Sequence, residues 1–260
     1  MKYLLSIVLI TATAATAFST GQITEKINDN GVSKGLTSRL LELDSISFPI
    51  LKERIPKEMI STGLRRNYIG YWKIKNDSLF LDSILVRDKT CDTLRFAPAK
   101  IDDIYASRHT PSGYFADWVT DTFRIVSGNI VYYKHMDWNS YWQNEEFVSV
   151  KEGVITARTI YENHAVNNIC EDETMLRKII DSLNLGFIPK RIVLQLGYQG
   201  FDGNGVPTGY KIKVLRSCGD TNVDNMVARA FEDSTVMRSL IPIYYIRGQY
   251  RSEERILSVQ

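Results

Sequence analysis

The densest group of residues able to make specific contacts lies in YYKHMDWNSYWQNEEF. Tyr132, Tyr133, Trp138, Tyr141, Trp142 and Phe147 fall within that short span. Aromatic faces at such density suit a sugar or a peptide, and Glu145 and Glu146 beside them could accept hydrogen bonds from sugar hydroxyls. The same spacing suits a hairpin whose rings pair across strands and fill a core, and that packing reading is preferred. If the chain holds a ligand patch, Trp138, Tyr141, Trp142 and Glu145 are its candidates.

Acid–base chemistry has thinner support. Asp117 and Asp121 flank Trp118-Val119-Thr120 and would share one face of a strand, as the paired carboxylates of glycoside hydrolysis require. Asp near turns and strand ends is common, and solvated surface carboxylates are the preferred reading. His109, His135 and His164 sit in separate segments, so only the fold could gather them. Cys218 precedes a predicted helix N-terminus, where a thiol gains acidity, but no His lies near it in sequence and it reads as a turn residue. No GxSxG, HExxH, P-loop or GxGxxG motif occurs, and no CxxC or close His pair suggests zinc. A non-catalytic protein with no metal and no cofactor is the expectation.

The chain has 260 residues, 44% of them hydrophobic and 24% charged, with a formal net charge of +2. Such a chain can bury one large core or two small ones. Its charge balance and the absence of like-charge blocks argue against nucleic acid as a partner. MKYLLSIVLITATAATAFS has a positive start at Lys2, an apolar run from Leu4 to about Ala17, and small residues at Ala15-Thr16-Ala17. This is the pattern of a cleaved secretory signal over residues 1–17. An uncleaved anchor is the alternative, but the run is short against the roughly 20 residues of a membrane span. A periplasmic or secreted protein with no span after cleavage is therefore expected. Export permits a disulfide. Cys91 in DKTCDT and Cys170 in NNICED share polar, loop-like surroundings and form the candidate pair, leaving Cys218 over.

Residues 18–36 read as a flexible lead, polar and Gly-containing. From 37 to 170 the pattern is β-rich. Hairpin signals appear around Lys75-Asn76-Asp77-Ser78, Ser127-Gly128-Asn129 and Lys151-Glu152-Gly153. Met175, Leu176, Ile179, Ile180 and Leu183 recur at helical spacing, which predicts a connecting helix over 171–186. Beyond it, RIVLQLGYQ and GYKIKVLRS read as strands around the loop FDGNGVPT. Asp220 or Thr221 can cap a helix whose apolar positions are Val223, Met226, Val227, Ala230 and Phe231. The fold class is α+β: an antiparallel β-rich N-terminal domain, then a small strand-strand-helix-strand domain over 187–260.

That last domain resembles a TonB C-terminal domain. The resemblance rests on Asp202-Gly203-Asn204-Gly205, on Val214-Leu215-Arg216-Ser217-Cys218-Gly219-Asp220, on Val223-Asp224 and Ala228-Arg229-Ala230-Phe231, and on Pro242 and Gly248. The chain has only seven Pro, scattered, and no long Pro-rich spacer, so the domain is like the module rather than the whole energy transducer. The front half is more faintly similar to bacterial β-rich domains of no assigned activity. Arg66, Tyr68, Trp72, Ile74, Leu79 and Leu81 carry that likeness. TonB-like domains hold a partner's short extended segment by strand addition. The resemblance thus implies protein contact in a Gram-negative envelope, with an envelope protein or peptide segment as partner. The terminal segment QYRSEERILSV is the candidate edge strand, with Arg251, Glu253, Arg255 and Ile256 as its marked residues. A periplasmic carbohydrate-binding or carbohydrate-processing protein using the Trp138 and Trp142 patch is the alternative. The oligomeric state stays open.

Overall fold

A computed structural model of the chain describes residues 21–57, 61–87, 96–167, 173–185 and 190–259. The expected signal segment and the Cys91–Cys170 pair lie outside the described residues. The fold is α+β, with mostly antiparallel sheets and a few helices. Two units divide the chain between Asn163 and His164. The border thus falls ahead of the 171–186 helix.

The first unit contains β1 (Glu25–Asp29), β2 (Val32–Leu36), α1 (Ser47–Arg54), β3 (Tyr68–Lys75), β4 (Ser78–Arg87), β5 (Phe96–Pro98), β6 (His109–Thr110), β7 (Gly113–Phe115), β8 (Asp121–Tyr132), β9 (Tyr141–Lys151) and β10 (Val154–Glu162). Its strands run in the order β10-β9-β8-β2-β1-β3-β4, and β10 meets β4 again at Val154 and Ser78. This one contact brings the two ends of the path together; among the described residues the rest of β10 pairs with β9 alone, and β7 and β6 continue the sheet beyond β4. One pair, β1 with β3, is parallel. Ile27, Trp72, Ile74, Leu79, Leu81, Phe123, Ile125, Val148 and Val150 fill the interior. Leu40, Leu41 and Leu51 join that core from the segment between β2 and β3.

Residues 25–36 are not a flexible lead. Asn30 and Gly31 both have positive φ, 52° and 85°, as a two-residue primed turn demands, and they fold β1 onto β2. Ile27 and Leu36 are fully buried, so burial holds this hairpin in the sheet. Turns of the same kind at Asn76-Asp77 and Glu152-Gly153 match two of the expected hairpins. The third differs. Ser127-Gly128-Asn129 is a register irregularity inside one continuous strand, β8, with Gly128 at φ 78°. The chain reverses later, through residues 133–140.

The second unit contains β11 (His164–Ala165), α2 (Glu173–Ser182), β12 (Ile192–Phe201), β13 (Pro207–Arg216), α3 (Thr221–Ala230), α4 (Ser234–Leu240), β14 (Ile243–Ile246), β15 (Gln249–Ser252) and β16 (Arg255–Val259). It carries two three-stranded sheets, β13-β12-β16 and β11-β14-β15. Direct cross-strand pairing puts Leu194 beside Val214 and Leu257, and Leu196 beside Ile212, on one face. Val227 and Phe231, which are fully buried, belong to the same core, as does Ile180 of α2. The expected connecting helix is thus a core element of this unit. Asp220 caps α3, accepting from the Asn222 N–H at 2.8 Å and the Val223 N–H at 3.3 Å. Met226 departs from the expected stripe and is 45% exposed. Asp224 takes the inward place, because its carboxylate accepts the Cys218 N–H at 3.0 Å and clamps the turn ahead of the helix.

Candidate functional site

Among the described residues the sheet β13-β12-β16 is open on both sides. Its edges differ in length and cover. β13 is ten residues long, pairs with β12 alone, and exposes Thr208, Lys211, Lys213, Leu215 and Arg216. Between these, Tyr210, Ile212 and Val214 pack toward the core. β16 has five residues, and Leu257, Ser258 and Val259 are buried. Each backbone unit on the outer side of β13 offers an N–H and a C=O without a strand partner.

The terminal segment is not one edge strand. Arg251 lies on β15, paired to β14, and Glu253 lies in the link to β16; only Arg255 and Ile256 sit on the edge itself. The reason is the turn at Arg247-Gly248, with φ of 51° and 79°, which folds Gln249–Ser252 back as a hairpin before the chain reaches β12. Arg255 donates to the Leu240 carbonyl at 2.9 Å. Glu254 accepts from Gln195 and Lys211 across the outer face.

The aromatic span does not converge into one platform. Tyr132 and Tyr141 stand directly opposite on β8 and β9, with rings stacked at 5.8 Å and 9°, and the Lys134 ammonium lies 5.4 Å from each. Trp138 turns elsewhere, under the guanidinium groups of Arg39 and Arg66 at 5.5 and 5.3 Å. Trp142 is half-buried, and its carbonyl accepts from Asn163 at 2.6 Å. Glu145 is fully buried, paired to Arg124 at 3.0 Å, and accepts the Trp142 N–H at 3.2 Å. It is turned to the protein interior and cannot accept from a sugar hydroxyl.

The other candidates also separate. Asp117 pairs with Arg108 at 2.7 Å, whereas Asp121 accepts the N–H of Thr122. His109, His135 and His164 each lie against a different tyrosine. Cys218 is a buried free thiol, and burial together with Asp224 pushes its pKa up, away from a nucleophile's range. Among the described residues, no group of three or more His, Cys, Asp or Glu could hold a metal ion.

One buried ionisable centre went unmarked in the sequence reading. Glu25 is fully buried inside the first unit. It accepts from the Trp72 indole N–H at 2.6 Å and faces Arg66 at 3.5 Å. Burial pushes its pKa up to about 7, against the pull of Arg66 and of the Trp72 bond. Gly70 makes room, since a Cβ there would stand 2.5 Å from the Glu25 carboxylate. Arg66 itself lies over the Tyr68 and Trp138 rings, at 5.4 and 5.3 Å. With no surface of its own, Glu25 can bind a proton but can touch no substrate. The available signal was the alternation Glu25, Ile27, Asp29 leading into Asn-Gly.

Comparison with protein-family models, with curated proteins and with solved structures finds no match for this chain. Among the described residues no helix is long and apolar enough to cross a membrane.

Proposed function

We propose that this is an exported, non-catalytic envelope protein whose C-terminal unit holds an extended segment of a partner by strand addition. The observation that carries the reading is β13, a ten-residue strand bonded on one side only among the described residues. An extended segment laid along it would gain main-chain hydrogen bonds, while alternate side chains meet Lys211, Lys213 and Leu215. Lys211 is already paired with Glu254, whereas exposed Lys213 and Arg216 keep the free edge soluble and favour a partner segment with acidic residues. The TonB-like motifs of the sequence support the same role. The Lys2 start and the apolar run after it support export to the periplasm or beyond.

Successive strand residues point their N–H groups to opposite sides, so of Ile212 and Lys213 one donates toward β12 and the other outward. Ile212→Pro and Lys213→Pro variants of the full chain should therefore behave differently. One should lose stability. The other should stay folded and lose the binding of peptides selected from a random display library on the wild-type protein. Equal binding by every folded proline variant would refute the edge reading.

A further inference from the structure

A second surface of the C-terminal unit has the composition of a ligand site, and it does not depend on the edge of β13. His164 on β11 stands directly opposite Tyr245 on β14, and Tyr245 directly opposite Tyr250 on β15. The three side chains therefore form one row across one face of the sheet. Ring centroids are 5.3 Å apart from His164 to Tyr245 and 5.0 Å apart from Tyr245 to Tyr250. Phe201, at the end of β12, extends the row at 6.3 Å from Tyr250. These rings line a depression of about 540 Å³ that also takes in Asp202, Gly203, Gly248 and Gln249.

The row is firmly built. Tyr250 rests on the backbone of Gly205, where a Cβ would meet the ring at 2.4 Å. The neighbouring turn is fixed by Asp202, whose Oδ1 accepts the N–H groups of Asn204 at 2.9 Å and Val206 at 2.8 Å. Polar capacity is left over at the rim. The hydroxyls of Tyr245 and Tyr250 and the second Asp202 oxygen bond nothing among the described residues, and the Gln249 amide nitrogen donates to none of them. Gly203 and Gly248 leave the rim open, since a Cβ on either would meet nothing within 4 Å.

We propose that this row of His164, Tyr245, Tyr250 and Phe201 binds a neutral oligosaccharide. The lining contains no Lys or Arg and does contain Asp202, so it lacks the fixed positive charge that a phosphate or carboxylate wants. The rings lie in a line and do not box a point, which disfavours a compact quaternary ammonium. A pyranose carries C–H groups on its faces and hydroxyls around its edge. Its faces match the electron-rich faces of a line of rings. Its hydroxyls match the spare carboxylate oxygen, the phenols and the amide around them.

Calorimetric titration of the full chain with maltotetraose, cellotetraose and chitotetraose tests this. At least one should bind. Tyr245→Ala should weaken that binding by about tenfold or more, a loss near 1.4 kcal/mol. Asp202→Asn, which keeps the turn's Oδ1 acceptor, should weaken it less. Tyr141→Ala, in the other unit, should leave it unchanged. If Tyr245→Ala does not fold, amide shift mapping on the wild type replaces it, and the shifts should cluster on residues 201–203 and 245–250. The proposal is overturned if none of the three sugars binds, if the shifts fall elsewhere, or if binding survives folded Tyr245→Ala undiminished. It is also overturned if choline binds in their place.

Discussion

The two units solve the same problem in opposite ways. The first brings the ends of a long sheet together at Val154 and Ser78 and buries ionisable groups within it. The second leaves two short sheets open and keeps an almost wholly apolar core between sheet and helices. In the first unit the buried carboxylates are bonded within the fold, Glu25 to Trp72 and Glu145 to Arg124, and serve it. An open sheet has spare backbone, and contact with another chain can use it. The difference gives the front unit a charge-bearing interior and the second unit an apolar core beneath two short sheets.

The contrast can be broken most forcefully from inside the first unit. Trp72→Ala removes a buried indole and leaves Glu25 without its donor. It should cost the front unit about 4 kcal/mol. All four Trp lie between residues 72 and 142, so indole fluorescence reports the first unit alone. Urea unfolding followed by that signal in wild type and variant will show whether the loss occurs.

A slightly smaller effect concerns pH. Glu25 binds its proton more tightly folded than unfolded, with a pKa raised to about 7 by burial. Its contribution is therefore complete below the unfolded value near 4.5 and is lost as pH rises through about 7. The loss is on the order of 3 kcal/mol. Asp29, at the other end of β1, shows the reverse. Burial pushes it up, but bonds from Arg158 and Lys34 hold it below the usual range. Its contribution is present at neutral pH and fades only in acid. Glu25→Gln should flatten the fluorescence-detected stability between pH 5 and pH 8. A wild type whose front-unit stability does not fall over that window would contradict the buried-acid account.

The smallest effect belongs to the open unit. Asp220→Ala removes the cap of α3 and should cost about 1 kcal/mol. Circular dichroism should register it, whereas indole fluorescence should not. A shift in both signals would mean that the two units unfold as one.

Much of the fold was legible where a turn carries its own chemistry. Asn76-Asp77 and Glu152-Gly153 gave hairpins in their true places, and Asp220 gave the start of α3. Asn30-Gly31 carried the same signal but was submerged in polar neighbours, so β1 and β2 read as a lead. Gly128 misled in the other direction, because a glycine with positive φ serves a bulge as well as a turn. The candidate sites were less readable for a physical reason. Glu25 meets Trp72 across 47 positions, and Glu145 is buried by an arginine from the neighbouring strand. Such contacts follow from strand register, which local pattern does not determine. The row of His164, Tyr245 and Tyr250 depends on register in the same way.

The open edge of β13 is the central claim, and amide hydrogen exchange tests it residue by residue. In the free protein, alternate amides between Pro207 and Arg216 should exchange fast, because they face away from β12. With a selected peptide bound, those same amides should become protected while their neighbours, already bonded to β12, change little. Uniform protection of β13 in the free protein, or a bound peptide that leaves the alternate amides fast, would contradict strand addition at this edge.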